Sequence, residues 1–276
     1  MSLQERGREV LAVRKSFLSK PMFSSTKEQG FRITSFGFRP MPSLSIVIPC
    51  RNESARLPAT LRAVSTWLDA GEREVQVIIV VEKSTDDTAE LARRHAAADA
   101  RFRAICNPVA RGKGFAVKTG MVAATGDIVF FMDVDLSVPL RFIDAFLPYF
   151  EKADVVFGSR QHRETVIPIK QPFFRVFCGR LFNLALRICG ATSFKDTQCG
   201  FKGFRREAAQ AVFSRLTLDG FGFDVEAMAL AEALQLRIVE RPVEWSDAPG
   251  TKVRALRDGT SAFFEAVVAA RRARKN

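Results

Sequence analysis

From residue 44 onward, short apolar runs alternate with longer stretches whose apolar positions recur every three or four residues. The runs at 44–48, 75–81, 103–106, 127–132 and 154–157 have the length and β-branched content of strands. The run at 75–81 is almost entirely Val and Ile, as a strand buried on both faces should be. Helices fill the intervals. Ser54 is placed to cap one that runs to about residue 70, and Thr85 or Asp86 opens the next, to about 98. Gly112-Lys113-Gly114 opens a third, to about 124, and a fourth covers 139–150. This βαβα order predicts an α/β fold: a mostly parallel, doubly wound sheet with helices on both faces.

Beyond 160 the pattern changes. Residues 173–189 have helical length but are apolar nearly all round, interrupted by Arg175, Arg180 and Arg187. A polar loop is expected at 192–203, then helices at 205–214 and 222–234 and short strands at 237–240 and 243–245. A last helix, 258–272, runs into Arg271-Arg-Ala-Arg-Lys275. Residues 1–40 are polar and basic and end in Arg39-Pro40-Met41-Pro42, which reads as an extension outside the fold, partly helical at 3–18.

Composition narrows the partners. The chain has 276 residues, 47% of them hydrophobic, enough for one large domain or two small ones. A net charge of +12 points to an anionic partner: nucleic acid, a membrane surface or a phosphorylated substrate. Nucleic acid fits poorly, because the cations are dispersed, Tyr149 is the only tyrosine, and acidic clusters would repel a phosphate backbone. The five cysteines are scattered without a CxxC pair, which argues against a zinc site or a disulfide framework and for a reducing, cytoplasmic setting. No apolar run approaches the roughly 20 residues that span a bilayer. The first twenty residues lack the apolar core of a signal peptide.

The chemistry concentrates where the run 127–132 ends in Asp133-Val-Asp135. Two carboxylates at the end of a buried strand each cost several kcal/mol to desolvate unless something offsets them. Mg2+ or Mn2+ would do so, and these ions bind substrate phosphates at the same time. Asp135 is the stronger candidate for the direct ligand. Asp133, which alternates across the strand, can support through ribose, sugar or metal, and Ser137 is a weaker candidate. Arg111-Gly-Lys-Gly114 puts flexible backbone and a cation, Lys113, before a helix N-terminus, which suits a diphosphate. Its spacing is not that of a P-loop. Arg160, Arg175, Arg180 and Lys252 look like a clamp for a second phosphate.

Six stretches in order resemble the family 2 glycosyltransferases. They are Ser45-Ile-Val-Ile-Pro-Cys-Arg-Asn-Glu53, Arg111-Gly-Lys-Gly114, Asp133-Val-Asp-Leu-Ser137, Gly158-Ser-Arg160, Asp196-Thr-Gln-Cys-Gly-Phe-Lys202 and Gly222-Phe-Asp-Val-Glu226. With Gly250-Thr-Lys252 they are similar to the dolichyl-phosphate β-glucosyltransferase and polyprenyl-phosphate sugar synthase branch. The resemblance implies a GT-A fold with a Rossmann-like sheet over 41–257, closed by a basic amphipathic helix at 258–276. It implies that Pro49, Arg51 and Glu53 line a base and ribose pocket. Relatives usually carry two aspartates after the second strand; this chain has Glu82-Lys83, so Glu82 would take the base-reading role. Asp196 and Asp224 would position sugar or acceptor, and Arg160, Arg175 and Lys252 would hold the acceptor phosphate. A phosphate acceptor is already nucleophilic at neutral pH, so no general base is assigned.

The implied reaction is inverting, metal-dependent transfer of glucose from UDP-glucose to a polyprenyl or dolichyl phosphate. The alternatives are another nucleotide-sugar such as GDP-mannose, or a soluble acceptor. Segments 173–189 and 258–276 would touch an anionic membrane from its cytoplasmic, inner face, or form a homodimer contact.

Overall fold

The computed structural model describes residues 41–169, 173–247 and 257–274, of which 174, 175 and 257–262 by their backbone alone. The extension 1–40, Lys252 and the side chain of Arg175 lie outside the described residues.

A seven-stranded sheet organises the chain, in the order β3-β2-β1-β4-β6-β5-β7. Strands β1 (Leu44–Cys50), β2 (Val75–Val81), β3 (Phe102–Cys106) and β4 (Ile128–Met132) form a parallel block. Strands β5 (Val155–Ser159) and β7 (Ile238–Pro242) form a second parallel pair. Between the two lies β6 (Phe201–Arg205), antiparallel to both β4 and β5.

Along β2, Val77, Ile79 and Val81 enter one core and Ile78 and Val80 the other. Both faces are covered, which is why these strands read as unbroken apolar runs. Helices α1 (Leu57–Asp69), α2 (Thr88–Ala98) and α4 (Arg141–Phe146) contribute to one core. Helices α3 (Lys113–Ala123), α6 (Arg206–Arg215), α7 (Phe223–Ala233) and α8 (Arg257–Ala273) contribute to the other. Gly120 lets α3 lie close on the sheet: a Cβ there would come 2.3 Å from Val47 Cγ1.

Several expectations need correction. The polar loop expected at 192–203 contains the start of β6, a central strand. Its sequence, Phe-Lys-Gly-Phe-Arg, lacks an apolar run because Lys202 is neutralised inside the protein rather than exposed. The 243–245 segment is not a strand; Glu244 makes only an isolated bridge with Val166, and β7 runs to Pro242. Ser54 does not cap the first helix, which begins at Leu57 with a proline in its first turn. The helix expected at 139–150 splits into α4 and a 3-10 turn, Leu147–Glu151, at Pro148.

Helix α5 (Phe173–Ile188) turns Asn183 and Leu186 inward. Its outer face carries Phe173, Phe177, Leu181, Leu184 and Ile188, spaced as one helical stripe and 46% to 85% exposed. Helix α8 buries Ala266, Ala269, Ala270 and Ala273 and packs mainly on α7, while Phe264 and Val268 face out. Among the described residues, no helix is long and apolar enough to cross a membrane.

Candidate functional site

In an open α/β sheet, ligands bind outside the carboxyl ends of the strands. Here the ends of β1, β2, β3, β4 and β5, together with the entry to β6, share one edge. The sheet's register therefore gathers loops that lie far apart in sequence.

At the centre is the turn after β4. Leu136 N–H donates to Asp133 O at 3.2 Å, and Leu136 has φ +52°, rare for a branched side chain. Strain of this kind collects at functional sites. The Asp135 carboxylate accepts from Ser137 N–H (3.0 Å) and Ser137 Oγ (2.8 Å). Asp133 N–H donates to Gly200 O at 3.1 Å, and a Cβ on Gly200 would stand 2.0 Å from Asp133 Oδ2. Gly200 thus leaves the space that the Asp133 carboxylate fills.

Lys113, at the first turn of α3, pairs with Asp133 at 2.7 Å. Burial alone would lower its ammonium, but Asp133, Asp224 and Asp135 outweigh burial and hold it above its ordinary range. The loop before Lys113 is held from beneath. Glu82 is buried; one carboxylate oxygen accepts from Asn107 Nδ2 at 2.6 Å, the other from Arg111 N–H (2.6 Å) and Gly112 N–H (3.0 Å). Gly112 has φ +142° and a Cβ there would meet Asp219 O at 2.3 Å. Glu226 fixes the opposing 217–219 segment by accepting from Thr217 N–H, Thr217 Oγ1 and Leu218 N–H. An Arg111–Asp219 ion pair at 2.7 Å closes the contact. Both oxygens of Glu82 are engaged within the protein, so reading a base would require those bonds to be exchanged.

The first loop is arranged differently from its sequence reading. Strand β1 continues to Cys50, so Pro49 is buried within it, paired in register with Val80. Arg51 is exposed and Asn52 takes φ +53°. Glu53 is nearly buried and forms a two-point ion pair with Arg56, at 2.7 and 2.9 Å. Arg56 is held above its ordinary range first by that Glu53 contact and also by the fields of Asp135 and Asp133. Sequence reasoning missed Arg56; the signal was its i,i+3 spacing from Glu53.

On the other side of β4, two candidates prove to be partners. Arg160 grips Asp196 at 2.7 and 2.8 Å, and its backbone N–H donates to the same carboxylate. Asp196 is fully buried; burial would raise its carboxyl, but Arg160 overrides this and holds it below the usual carboxylate range. Deeper lies a pair the sequence did not suggest. Lys202 is fully buried and donates to Cys199 O at 2.7 Å and to the Asp224 carboxylate. Burial pushes Asp224 up, against the pull of Lys202 and Lys113. Lys202–Asp224 and Lys113–Asp133 thus form a chain of alternating charge from the sheet interior to the edge.

Among the described residues, no group of three His, Cys, Asp or Glu could enclose a metal ion. The donor set nevertheless fits Mg2+ or Mn2+, which bind through one or two carboxylates and complete their shell with waters and substrate phosphates. Asp135 and Asp133 would supply the carboxylates, and the absence of a side chain at Gly200 leaves the room that the Asp133 carboxylate occupies.

The family model described as "Glycosyl transferase family 2" matches residues 45–213. A "Dolichyl-phosphate beta-glucosyltransferase" of Drosophila melanogaster is 33% identical over 233 residues, covering 78% of this chain and 70% of that protein. The protein of the same description from Mus musculus is 29% identical, covering 84% and 76%. Among solved structures, glucosyl-3-phosphoglycerate synthase of Mycobacterium tuberculosis superimposes with a TM-score of 0.60 at 19% identity, covering 83% and 79%, in a complex with Mg2+ and UDP.

Proposed function

The chain belongs to the family 2 glycosyl transferases and has the GT-A fold, and from this premise we propose that it transfers glucose from UDP-glucose to a polyprenyl or dolichyl phosphate at a membrane surface. One observation carries the donor half: Asp133, Asp135 and Lys113 meet at the sheet edge, with Lys113 2.7 Å from Asp133. That grouping offers cation-binding oxygens beside a cation of its own, the pattern a nucleoside diphosphate needs. The acceptor half rests on relatives named for dolichyl phosphate.

In this reading Asp135 and Asp133 would hold Mg2+ or Mn2+, which would supply Lewis-acid stabilisation to the departing nucleoside diphosphate. Lys113 leaves Asp133 to neutralise a diphosphate oxygen. Glu82 and Glu226 keep the Lys113 loop in place while it does so. In the same reading Arg160, paired with Asp196, would face the acceptor phosphate. A dianionic phosphate acceptor needs positioning and charge neutralisation rather than a base. Arg175 and Lys252 complete the proposed acceptor clamp. The α5 stripe, flanked by exposed Arg180 and Arg187, together with Phe264 and Val268 of α8, forms the proposed membrane-facing surface.

Gly200→Ala should force the Asp133 carboxylate aside and lower transfer about a hundredfold, since a misplacement of that size is costly at a reacting centre. Initial rates measured beside the melting temperature check this; an active, folded Gly200→Ala protein would count against Asp133. The donor is tested by thermal shift. UDP-glucose with Mg2+ should raise Tm by mass action, and GDP-mannose should not. The reverse pattern would replace the proposed donor.

A further inference from the structure

The cleft beside Asp133 has a wall that the donor and acceptor assignments leave unused. Asp133, Ser137, Val138, Gly200, Phe201 and Trp245 line it. Asp133 and Ser137 are its polar groups; Val138 and Phe201 are buried and apolar. Trp245 is partly buried, and its indole packs against the apolar core that includes these two residues.

The segment carrying Trp245 is tied down on both sides. Trp245 N–H donates to Val166 O at 2.9 Å, and Ser246 N–H donates to Ser137 O at 2.9 Å. The Arg160 guanidinium carbon lies 5.7 Å from the centre of the Trp245 ring. The indole therefore shares the recess with Asp133 and Ser137 and lies near the Arg160–Asp196 pair, that is, near both the proposed donor and the proposed acceptor half of the site. A hexose presents two chemistries: a rim of hydroxyls and a face of C–H groups. The recess itself has room for about one water, so a sugar would lie across its mouth, with carboxylate and hydroxyl on one side and the aromatic plate on another.

We propose that Trp245 is the wall against which the C–H face of the transferred sugar packs, and so a specificity-determining residue for the sugar. This rests on the donor reading above. The indole contacts the sugar but not the uridine or the diphosphate, so its contribution appears only when the sugar is present.

The chain has two tryptophans, and the other, Trp67, lies on α1 with its indole N–H directed at Asp144. A Trp67→Phe protein isolates Trp245 emission without touching the site. With Mg2+ present, UDP-glucose should shift or quench that emission and UDP should not. In kinetics, Trp245→Ala should raise KM for UDP-glucose about five- to tenfold while inhibition by UDP changes less than about twofold. Trp245→Phe, which keeps an aromatic face and guards against a folding failure, should recover most of the loss. Identical emission responses to UDP and UDP-glucose would overturn the proposal. So would UDP-glucose that binds by calorimetry without any response. If calorimetry detects no nucleotide-sugar at all, the donor reading itself fails, and the sugar wall with it.

Discussion

Asp135→Ala is expected to reduce glycosyl transfer by about three orders of magnitude or more while the protein remains folded. The two halves of that expectation have separate causes. The Asp135 carboxylate accepts hydrogen bonds from Ser137 N–H and Ser137 Oγ, both on its own partly exposed turn, where water can replace it. Little stability depends on it. A divalent ion held, as proposed, by only two protein carboxylates would by contrast have no substitute for the stronger one. Asp135→Asn, which keeps shape and loses charge, should fail nearly as badly. Initial rates with UDP-glucose, set beside the melting temperature, measure both halves. Full activity in either variant would remove the cation-binding assignment.

Lys202→Met is expected to lower stability by about 3–5 kcal/mol, the cost of leaving one partner of a buried ion pair uncompensated. Lys202 is fully buried, and its ammonium meets both Cys199 O and Asp224. Without it, Asp224 remains in the interior with only Lys113 to offset burial. The sign with pH follows from the direction of the shift. Asp224 is already raised above its ordinary value, chiefly by burial, so the folded protein binds its proton more tightly than the unfolded chain does. A raised carboxyl contributes stability at low pH that is lost as pH rises through its folded value. Removing Lys202 raises it further, so the Lys202→Met deficit should be smaller in mild acid and larger toward neutral pH. Adding Asp224→Asn should recover part of the loss, because an amide needs no counter-ion. Denaturant melts of the single and double variants across pH test this. A deficit that does not depend on pH would contradict it.

These two residues also mark what a sequence can and cannot disclose. The place of Asp133 and Asp135 at the strand end was legible because they interrupt an apolar run there, where an unpaired charge demands a reason. The parallel block β1 to β4 was legible for the same kind of reason, since strands covered on both faces leave uninterrupted Val, Ile and Phe. Lys202 was not legible, because its charge makes Phe201–Arg205 look like a loop, and only Asp224, brought near by folding, allows it to sit in a central strand. Arg160 and Asp196 were both named, but as separate functions; the structure makes them one ion pair. Glu82 was read as facing the nucleobase, and no local pattern showed that its oxygens hold the loop that carries Lys113. Pairings of this kind depend on strand order and register, which no local pattern encodes. The break at Pro148 is different, a local signal that the periodicity of the surrounding residues concealed.

The charge chain joins these observations. Lys202, Asp224, Lys113 and Asp133 alternate in sign from the interior to the sheet edge. Removing any one leaves its neighbours unbalanced, so on the proposed reading stability and donor binding would be coupled through the same four groups. The measurement that tests the central claim most directly is transfer itself. Radiolabelled UDP-glucose is supplied with Mg2+ to vesicles containing polyprenyl phosphate, and the label is followed into the lipid fraction. The account predicts a glucosyl lipid that requires both the divalent ion and Asp135. Label that stays in the aqueous phase, or moves only to a soluble phosphorylated acceptor, would contradict it.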